Sequence, residues 1–427
     1  MKILVIEGIG DIVSRAVAAA AKKLKTDIPD LRVIFTDESK TWVGNIRDDR
    51  MSTVSRLSEW GAEFLDKSDS TQLAQYNDLL DAEVDAVLIE TPDRTHIEIA
   101  RHWLRGNCKW IYIEKPLTTH LRLDEARLWV KALAKTPEDY ERVLAFDHYR
   151  ARVHAHFRYP EHMDWLLSII GRLRSFRFYF LEDHSGTDKQ FKASQEGRGR
   201  KFTDRNGPIE NEGRVDALSH GLILDLMPHV LSVLEYFGDP SGIEVSTIQP
   251  GIYVGVDYDY QKKAEINNET FAAIGFRFKD NVDRVVNGAA YVGKGIYGSA
   301  SYPDMDGNVK VLEVEGESGR KLEFDFRHNM ISIIEDSQRI PLFDLERDSY
   351  YYLLTDIAFR MGRGARLGLS VEMSTIILTK LAEMKSFIIA DDLETYRLGD
   401  GAGRTPPLLE DLLPGGGSEL PTLKRTP

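Results

Sequence analysis

A lysine at the end of an apolar segment is the residue with the clearest chemical potential in this sequence. Residues 110–116 read Trp-Ile-Tyr-Ile-Glu-Lys-Pro, so four apolar residues lead directly into Glu114, Lys115 and Pro116. Open parallel sheets bind their ligands at the carboxyl ends of strands, and Pro116 restricts the backbone just after the lysine. The pattern therefore predicts an ammonium group directed into a ligand crevice, the alternative being an ordinary solvated lysine.

A second polar cluster follows the predicted strand 143–146. Residues 147–152 read Asp-His-Tyr-Arg-Ala-Arg, and five of these six side chains can hydrogen-bond or carry charge. Their place after a strand favours a binding role over that of a plain polar loop. His148, Tyr149 and Arg152 together would suit a phosphate or a set of hydroxyl groups.

An aspartate and a histidine interrupt an otherwise apolar predicted helix at 218–237. Asp225 and His229 are four residues apart and so share one helix face, and Pro228 between them is expected to bend the helix. A carboxylate that orients an imidazole is what a general base requires, because it stabilises the imidazolium. The alternative is a core histidine whose hydrogen bonds are satisfied within the fold.

The amino-terminal segment has the order of a dinucleotide-binding motif. Residues 2–6 predict a buried strand, Gly8 and Gly10 follow, and residues 12–24 have Ala-rich helical spacing. The glycines would let the backbone approach a pyrophosphate, and the helix N-terminus would offer it free N–H groups. Val13 occupies the place of the usual third glycine, so a plain strand–helix turn is the alternative.

The residues after the second predicted strand, 31–36, bear on the choice of cofactor. Asp37 is placed to accept hydrogen bonds from an adenosine ribose, and it would repel the additional phosphate of NADP. NAD is therefore the expected cofactor. Ser39 and Lys40 are near enough to keep NADP as an alternative.

Strands and helices alternate over the first part of the chain, which predicts an α/β fold with a doubly wound parallel sheet. Further elements are predicted as a strand at 85–90 and helices at 97–104 and 122–133. Residues 173–180 alternate as a half-buried antiparallel strand does, and the apolar–polar alternation at 242–340 predicts a second, mostly antiparallel sheet. The last predicted helices are 345–361 and 371–389.

These patterns divide the chain into three predicted segments. They are a dinucleotide-binding Rossmann domain at 1–150, an α/β substrate and oligomerisation domain at 151–395, and a Pro- and Gly-rich tail at 396–427. Within the second segment, the polar stretch 182–211 has a basic middle. It is either a lid over an anionic substrate or a solvated loop.

Composition excludes several classes of protein. The net charge of −13 argues against nucleic-acid partners and anionic membrane surfaces. A single cysteine, Cys108, is compatible with a reducing cytoplasm, and no apolar run is long enough to cross a bilayer. No cluster has the spacing of metal ligands, so no metal is expected.

Taken together, these motifs resemble those of the Gfo/Idh/MocA oxidoreductases and the related glucose-6-phosphate dehydrogenases. The shared motifs are Gly8-Ile9-Gly10, Thr91-Pro92 with Thr95-His96, Glu114-Lys115-Pro116, and Asp225-Leu226-Met227-Pro228-His229. Gly10-Asp11-Ile12 and Asp147-His148-Tyr149 are more similar to the dehydrogenases, in which a lysine stands at the position of Arg152.

The resemblance implies a Rossmann domain, an α/β domain with an open antiparallel sheet, a cis bond before Pro116, and a homo-oligomer. It also implies a cofactor site for NAD, with NADP as the alternative. The residues expected to contact the cofactor are Gly8, Gly10, Asp11, Ile12, Asp37, Thr91, Pro92, His96 and Glu114.

The expected activity is hydride transfer between nicotinamide and a CH–OH group of a sugar, cyclitol or sugar phosphate. In this hypothesis His229 takes the hydroxyl proton and Lys115 stabilises the reacting oxygen. Either Asp225 or Asp147 orients His229, and His148, Tyr149 and Arg152 hold the distal part of the substrate. The alternatives are a tightly bound NAD recycled within one catalytic cycle and a non-catalytic ligand sensor, which Val13 would favour.

Overall fold

The computed structural model forms two compact units, Met1–Ala155 with Arg347–Thr375, and His156–Glu346 with Ile376–Pro427. The predicted domain boundaries at residues 150 and 395 stay predictions. The helix predicted at 122–133, the basic stretch beyond residue 182 and the tail beyond residue 397 lie outside the described residues. The structure describes residues 2–10, 13–41, 44–91, 95–115, 117, 136, 141–156, 160–182, 222–254, 271–294, 309–344, 350–351, 354–355, 368–387 and 394–397.

The first unit is built on a seven-stranded sheet. Its strands are β1 (Lys2–Glu7), β2 (Leu31–Asp37), β3 (Glu63–Asp66), β4 (Ala86–Ile89), β5 (Trp110–Glu114), β6 (Val143–Phe146) and β15 (Leu369–Ser370). They are arranged in the order β15-β6-β5-β4-β1-β2-β3. All neighbours are parallel except β15, which pairs antiparallel with β6. The predicted parallel sheet is confirmed, and its strand order is that of a doubly wound fold.

The helices of this unit alternate with its strands. They are α1 (Ala18–Asp27), α2 (Gly44–Ser58), α3 (Ser70–Asp78), α4 (His96–Leu104) and α5 (His148–His156), whose last residue falls in the second unit. The helix predicted from residue 12 differs at its start, because a π-helical turn, Val13–Val17, precedes α1. Val13 is buried in the core with Leu4, Ile6 and Phe35. A valine side chain thus packs between helix and sheet where the usual motif has glycine.

The second unit is built on a nine-stranded sheet in the order β14-β13-β12-β11-β7-β10-β9-β8-β16. Its strands are β7 (Leu173–Glu182), β8 (Gly238–Val254), β9 (Phe271–Asp280), β10 (Val285–Lys294), β11 (Val309–Gly316), β12 (Lys321–Asp325), β13 (Met330–Glu335), β14 (Gln338–Asp344) and β16 (Glu394–Arg397). Only the pairs β7–β10 and β8–β16 are parallel among these described strands. The predicted, mostly antiparallel sheet is therefore confirmed.

Three helices complete the description: α6 (Pro160–Ile170), α7 (Leu222–Leu234) and α8 (Val371–Ser386). The helix predicted at 218–237 ends earlier, because residues 235–237 form a turn. A cluster of phenyl rings forms part of the core of this unit. Phe176 lies 5.8 Å from Phe237 and 5.9 Å from Phe278, both edge-on, which is a favourable aromatic geometry.

A buried carboxylate ends β1 immediately before the glycine turn. Glu7 has no solvent exposure and accepts hydrogen bonds from Thr36 Oγ1 at 2.5 Å, Tyr76 Oη at 2.7 Å, Trp103 Nε1 at 2.7 Å and Lys67 Nζ at 2.9 Å. The four donors come from β2, α3, α4 and the loop after β3. One side chain therefore ties the end of β1 to three neighbouring elements and a loop.

The charges around Glu7 keep it ionised. Burial acts to raise its pKa, but the Lys67 ammonium and the hydrogen bonds from Thr36, Tyr76 and Lys67 outweigh burial, so the pKa lies below the ordinary 4.5. Burial and the charge of Glu7 in turn raise the pKa of Tyr76 above its ordinary value. The carboxylate therefore accepts and the phenol donates throughout the neutral pH range.

Replacing Glu7 should cost far more stability than replacing an exposed carboxylate. We expect Glu7→Ala to lower the free energy of unfolding by about 3–5 kcal/mol, because it leaves the partly buried Lys67 ammonium and three buried donors without their acceptor. Glu63→Ala is the matched control, since Glu63 pairs with Arg32 but its side chain is 43% exposed, and it should cost less than about 1 kcal/mol. Denaturant unfolding measures both, and equal losses would contradict the role of Glu7.

The pH dependence follows from the lowered pKa of Glu7. Its stabilising contribution is fully present above the pKa of the unfolded chain and is lost as the pH falls through the lower pKa of the folded state. The stability difference between the parent protein and Glu7→Ala should therefore shrink only in acid.

Candidate active site

The glycine turn after β1 uses its two glycines for different purposes. Gly8 has a φ of +92°, and a Cβ added there would lie 2.9 Å from Thr91 Cγ2, so the fold itself requires glycine. At Gly10 the nearest atom to an added Cβ is the Glu90 carbonyl oxygen, an ordinary 3.9 Å away. The protein leaves space at Gly10, which is the space that a pyrophosphate needs for close approach to the backbone.

Asp37, at the end of β2, lies beside this turn. Its Oδ2 accepts a hydrogen bond from the Ile9 backbone N–H at 2.8 Å, and its Oδ1 accepts one from the Glu38 N–H at 2.7 Å. Arg50 of α2 places Nη1 3.4 Å from Oδ2. Asp37 therefore holds the middle of the glycine turn, in addition to standing where a ribose contact is predicted.

Ser39 and Lys40, the residues that left NADP as an alternative cofactor, are both paired with carboxylates. The Ser39 hydroxyl donates to Asp66, as does its backbone N–H at 3.0 Å. Lys40 Nζ lies 3.8 Å from the Glu38 carboxylate. This strand end is thus rich in negative charge.

The turn after β4 is closed by its own side chains. Thr95 and Thr91 hydroxyls lie 2.9 Å apart, and His96 Nε2 lies 2.8 Å from the Thr91 carbonyl oxygen. Because a carbonyl only accepts, Nε2 must carry the proton. His96 is fully buried, so its visible contact is to the turn, and its contact with the cofactor stays a prediction. Asp11, Ile12, Pro92 and Pro116 lie outside the described residues.

Lys115 and Asp147 follow adjacent parallel strands. Glu114 of β5 is in register with Phe146 of β6, and the Lys115 N–H donates to the Phe146 carbonyl at 3.1 Å. Lys115 is only 6% exposed and Asp147 only 1%. Fully buried lysines are rare, so this sheet edge holds an unusual pair of ionisable side chains. Glu114 is buried beside them at 4% exposure.

Asp147 also caps the start of α5. Its Oδ1 accepts hydrogen bonds from the N–H groups of Tyr149 at 2.8 Å and Arg150 at 2.9 Å. That is the geometry of a helix N-cap. The carboxylate therefore fixes the direction of the helix that carries His148, Tyr149 and Arg152.

The predicted substrate residues of α5 pack against one another around the ring of Tyr149. The imidazole of His148 lies 4.1 Å from the ring centre of Tyr149, and the Arg152 guanidinium lies 5.4 Å from that same ring. Tyr350 adds a second ring 5.8 Å from His148 with an interplanar angle of 17°. Sequence reasoning missed Tyr350, because it lies some two hundred residues further along the chain.

In the second unit, His229 is 3% exposed within α7. Its ring stacks on Phe180 of β7 at 5.2 Å and 6°. The ammonium of Lys310, from β11, lies 5.0 Å from the centre of the same phenyl ring. Asp225 is four residues earlier in α7, and its side chain lies outside the described residues. Phe180 and Lys310 were not predicted; the alternating pattern of β7 identifies Phe180 only as a core residue.

Other kinds of site find little support in the described part of the chain. No group of three or more His, Cys, Asp or Glu side chains there could hold a metal ion. Burial raises the pKa of the Cys108 thiol to about 12, so it is not a nucleophile near neutral pH. None of the described helices has the length and apolar character needed to span a membrane.

The two glycines give a direct test of the cofactor site. Gly10→Ala should leave the unfolding free energy within about 1 kcal/mol of the parent and weaken NAD binding at least tenfold, roughly 1.4 kcal/mol, because the methyl group fills the space kept open. Gly8→Ala, the control, should destabilise the fold. Calorimetric titration with NAD and thermal unfolding separate the two, and unchanged NAD affinity in Gly10→Ala would contradict the site.

Solved structures with a similar fold span almost the whole chain. A glucose-6-phosphate dehydrogenase in complex with glucose 6-phosphate is 14% identical, with a TM-score of 0.63 over 96% of each chain. KijD10, a 3-ketoreductase from Actinomadura kijaniata in complex with NADP and TDP-benzene, is 15% identical, with a TM-score of 0.55 over 93% of this chain and 99% of its own. At such identities the likeness concerns the fold.

A third structure with this fold is GnnA, the UDP-N-acetylglucosamine 3-dehydrogenase of Acidithiobacillus ferrooxidans. It is 15% identical, with a TM-score of 0.52 over 90% of this chain and 96% of its own. No curated protein sequence matches significantly.

A family model provides the sequence-level match. Residues 31–140 match the oxidoreductase family described as "NAD-binding Rossmann fold", the Gfo/Idh/MocA family. The matched range contains β2 to β5, and with them Asp37, Thr91 and Lys115. The resemblance predicted from short motifs is thereby confirmed over residues 31–140 of the first unit, which match the NAD-binding Rossmann model of the Gfo/Idh/MocA oxidoreductases.

Proposed function

We propose that the protein is an NAD-dependent oxidoreductase acting on a CH–OH group of a sugar or sugar phosphate. One observation carries the proposal. The edge of the parallel sheet that bears the glycine turn also holds the buried Lys115 beside Asp147, with His148 and Tyr149 next in the chain. The similar structures named above include enzymes named for sugar substrates, which supports this substrate class.

The residues would divide the work as follows. A bound nicotinamide supplies the hydride chemistry. Lys115 Nζ donates a hydrogen bond to the substrate oxygen and stabilises the negative charge that develops there. His229 takes the hydroxyl proton.

Asp225 is the better candidate to orient His229. It shares the helix face of that histidine, one turn away in α7. Asp147, the other candidate, already serves as the N-cap of α5, because its Oδ1 accepts hydrogen bonds from the N–H groups of Tyr149 and Arg150.

The distal part of the substrate would contact α5. His148 and Arg152 are four residues apart on this helix and so share one face, on which the Arg152 guanidinium offers a charge to an anion. A phosphate group suits this arrangement, and a set of hydroxyls is the alternative. The predicted homo-oligomer and cytoplasmic location stay predictions.

The rival interpretations have less support. The interpretation as a non-catalytic sensor was based on Val13, which replaces a glycine of the cofactor motif. The Val13 side chain packs in the core of the first unit, so its presence has a structural reason. A tightly bound NAD, recycled within one cycle, uses the same residues. Nicotinamide that co-purifies with the protein, without net turnover, would identify that case.

Turnover is tested by nicotinamide absorbance with NAD and either glucose 6-phosphate, unphosphorylated glucose or inositol. Lys115→Met and His229→Asn should each lower kcat about 10²–10⁴-fold while NAD binding is retained. Lys109→Met is the matched control, because Lys109 precedes the same strand but pairs with Asp85 and is half-exposed. Parent-like turnover in Lys115→Met would refute the assignment.

We further propose that the cofactor is NAD rather than NADP. Asp37, Glu38 and Asp66 cluster at the predicted ribose position, and Arg50 and Lys40 are each paired with one of these carboxylates. A 2′-phosphate would meet these negative charges. Its binding would require Arg50 to leave Asp37.

The cofactor preference can be measured as a ratio of dissociation constants. The parent protein should bind NAD at least about tenfold more tightly than NADP, roughly 1.4 kcal/mol. Asp37→Ser should reduce that ratio, although it weakens both complexes because the Ile9 N–H loses its acceptor. Glu38→Gln serves as the control and should change the ratio less. Equal affinity of the parent for both dinucleotides would overturn the proposal.

A further inference from the structure

We propose that Tyr350 is a positioning residue that holds the imidazole of His148 in its binding orientation. The inference rests on the proposed function, in which His148 contacts the distal part of the substrate. It adds a residue from outside the predicted dinucleotide-binding segment, because Tyr350 belongs to the stretch Arg347–Thr375 that returns to the first unit.

The imidazole of His148 contacts one ring from the next residue in the chain and one from a distant segment. Tyr149, its neighbour in α5, lies at 4.1 Å with an interplanar angle of 43°. Tyr350 lies at 5.8 Å and nearly parallel, at 17°. Both tyrosines are buried, with 3% and 5% exposure, whereas His148 is more exposed. A partly exposed imidazole thus rests against two rings that are themselves fixed by the core.

Such packing matters for a binding histidine. An imidazole can rotate about two side-chain bonds, and holding it in one rotamer in advance reduces the entropy lost when a ligand binds. Its hydrogen-bonding atoms are at the ring edge. Aromatic contacts against the ring face therefore restrict its orientation without using the nitrogens.

The residue after Tyr350 anchors it to the first unit. The Tyr351 hydroxyl donates to Asp27 Oδ2 at 2.5 Å, at the end of α1, and the Lys23 ammonium lies 5.0 Å from the Tyr351 ring. Tyr351 is buried at 7% exposure. The anchor gives Tyr350 a defined place, and it also provides a control, because Tyr351→Phe breaks the hydrogen bond to Asp27 while the Tyr350 ring is retained.

The test compares three variants by NMR of histidine-labelled full-length protein, with the His148 signal assigned through His148→Gln. Tyr350→Leu removes the ring and should shift or broaden the His148 signal. Tyr350→Phe retains the ring and should restore the parent signal. Tyr351→Phe removes the hydrogen bond to Asp27 but keeps both rings, and should change the His148 signal less than Tyr350→Leu does. A parent-like His148 signal in Tyr350→Leu would overturn the inference.

A kinetic measurement tests the role in binding with whichever of glucose 6-phosphate or glucose the parent oxidises. Tyr350→Leu should raise KM about tenfold, the effect of weakening one charge-assisted hydrogen bond, with kcat nearly unchanged. Tyr350→Phe should restore KM. A loss confined to kcat, or a failure of Tyr350→Phe to restore KM, would contradict positioning through the ring.

The two proposals fail in different ways. If the parent protein turns over no sugar but Tyr350→Leu still disturbs the His148 signal, the proposed function fails and the positioning of His148 stands. If sugar oxidation is present and Tyr350→Leu changes neither the signal nor KM, the positioning role fails and the proposed function stands.

Discussion

The buried carboxylate of Glu7 is the interaction on which the cofactor side of this fold depends. A charge without solvent contact is tolerated only when several donors surround it. Here the donors come from β2, α3, α4 and the loop after β3, and all of them converge on the residue before Gly8. The requirement to satisfy one charge therefore aligns the elements around the glycine turn.

The residues of the glycine turn also have separate roles. Gly8 is required by its positive φ and by the close approach of Thr91, whereas Gly10 leaves a space next to the backbone. Asp37 holds the Ile9 N–H between them. A side chain expected to contact a ribose thus also shapes the loop that would contact the pyrophosphate, so changes at Asp37 affect both.

At the ends of β5 and β6, residues close together in the sequence meet one from a distant segment. Lys115 and Asp147 follow two strands that the sequence pattern predicts and that the structure pairs, β5 and β6, and His148 comes next in the chain. Tyr350 reaches the same cluster from beyond the second unit. His229, within that second unit, has its own aromatic support in Phe180.

The sequence by itself determined the two sheets, the glycine turn and the strand ends that carry Lys115 and Asp147, because buried runs and period-two alternation are local signals. It indicated no element for residues 41–84, where α2, β3 and α3 lie. Only the tertiary structure decided that Glu7 is the centre of a network, that Val13 is a core residue, that Asp147 caps a helix, and that Tyr350 meets His148. Most of these depend on partners far apart in the chain, and the identity of a distant partner leaves no trace in local spacing.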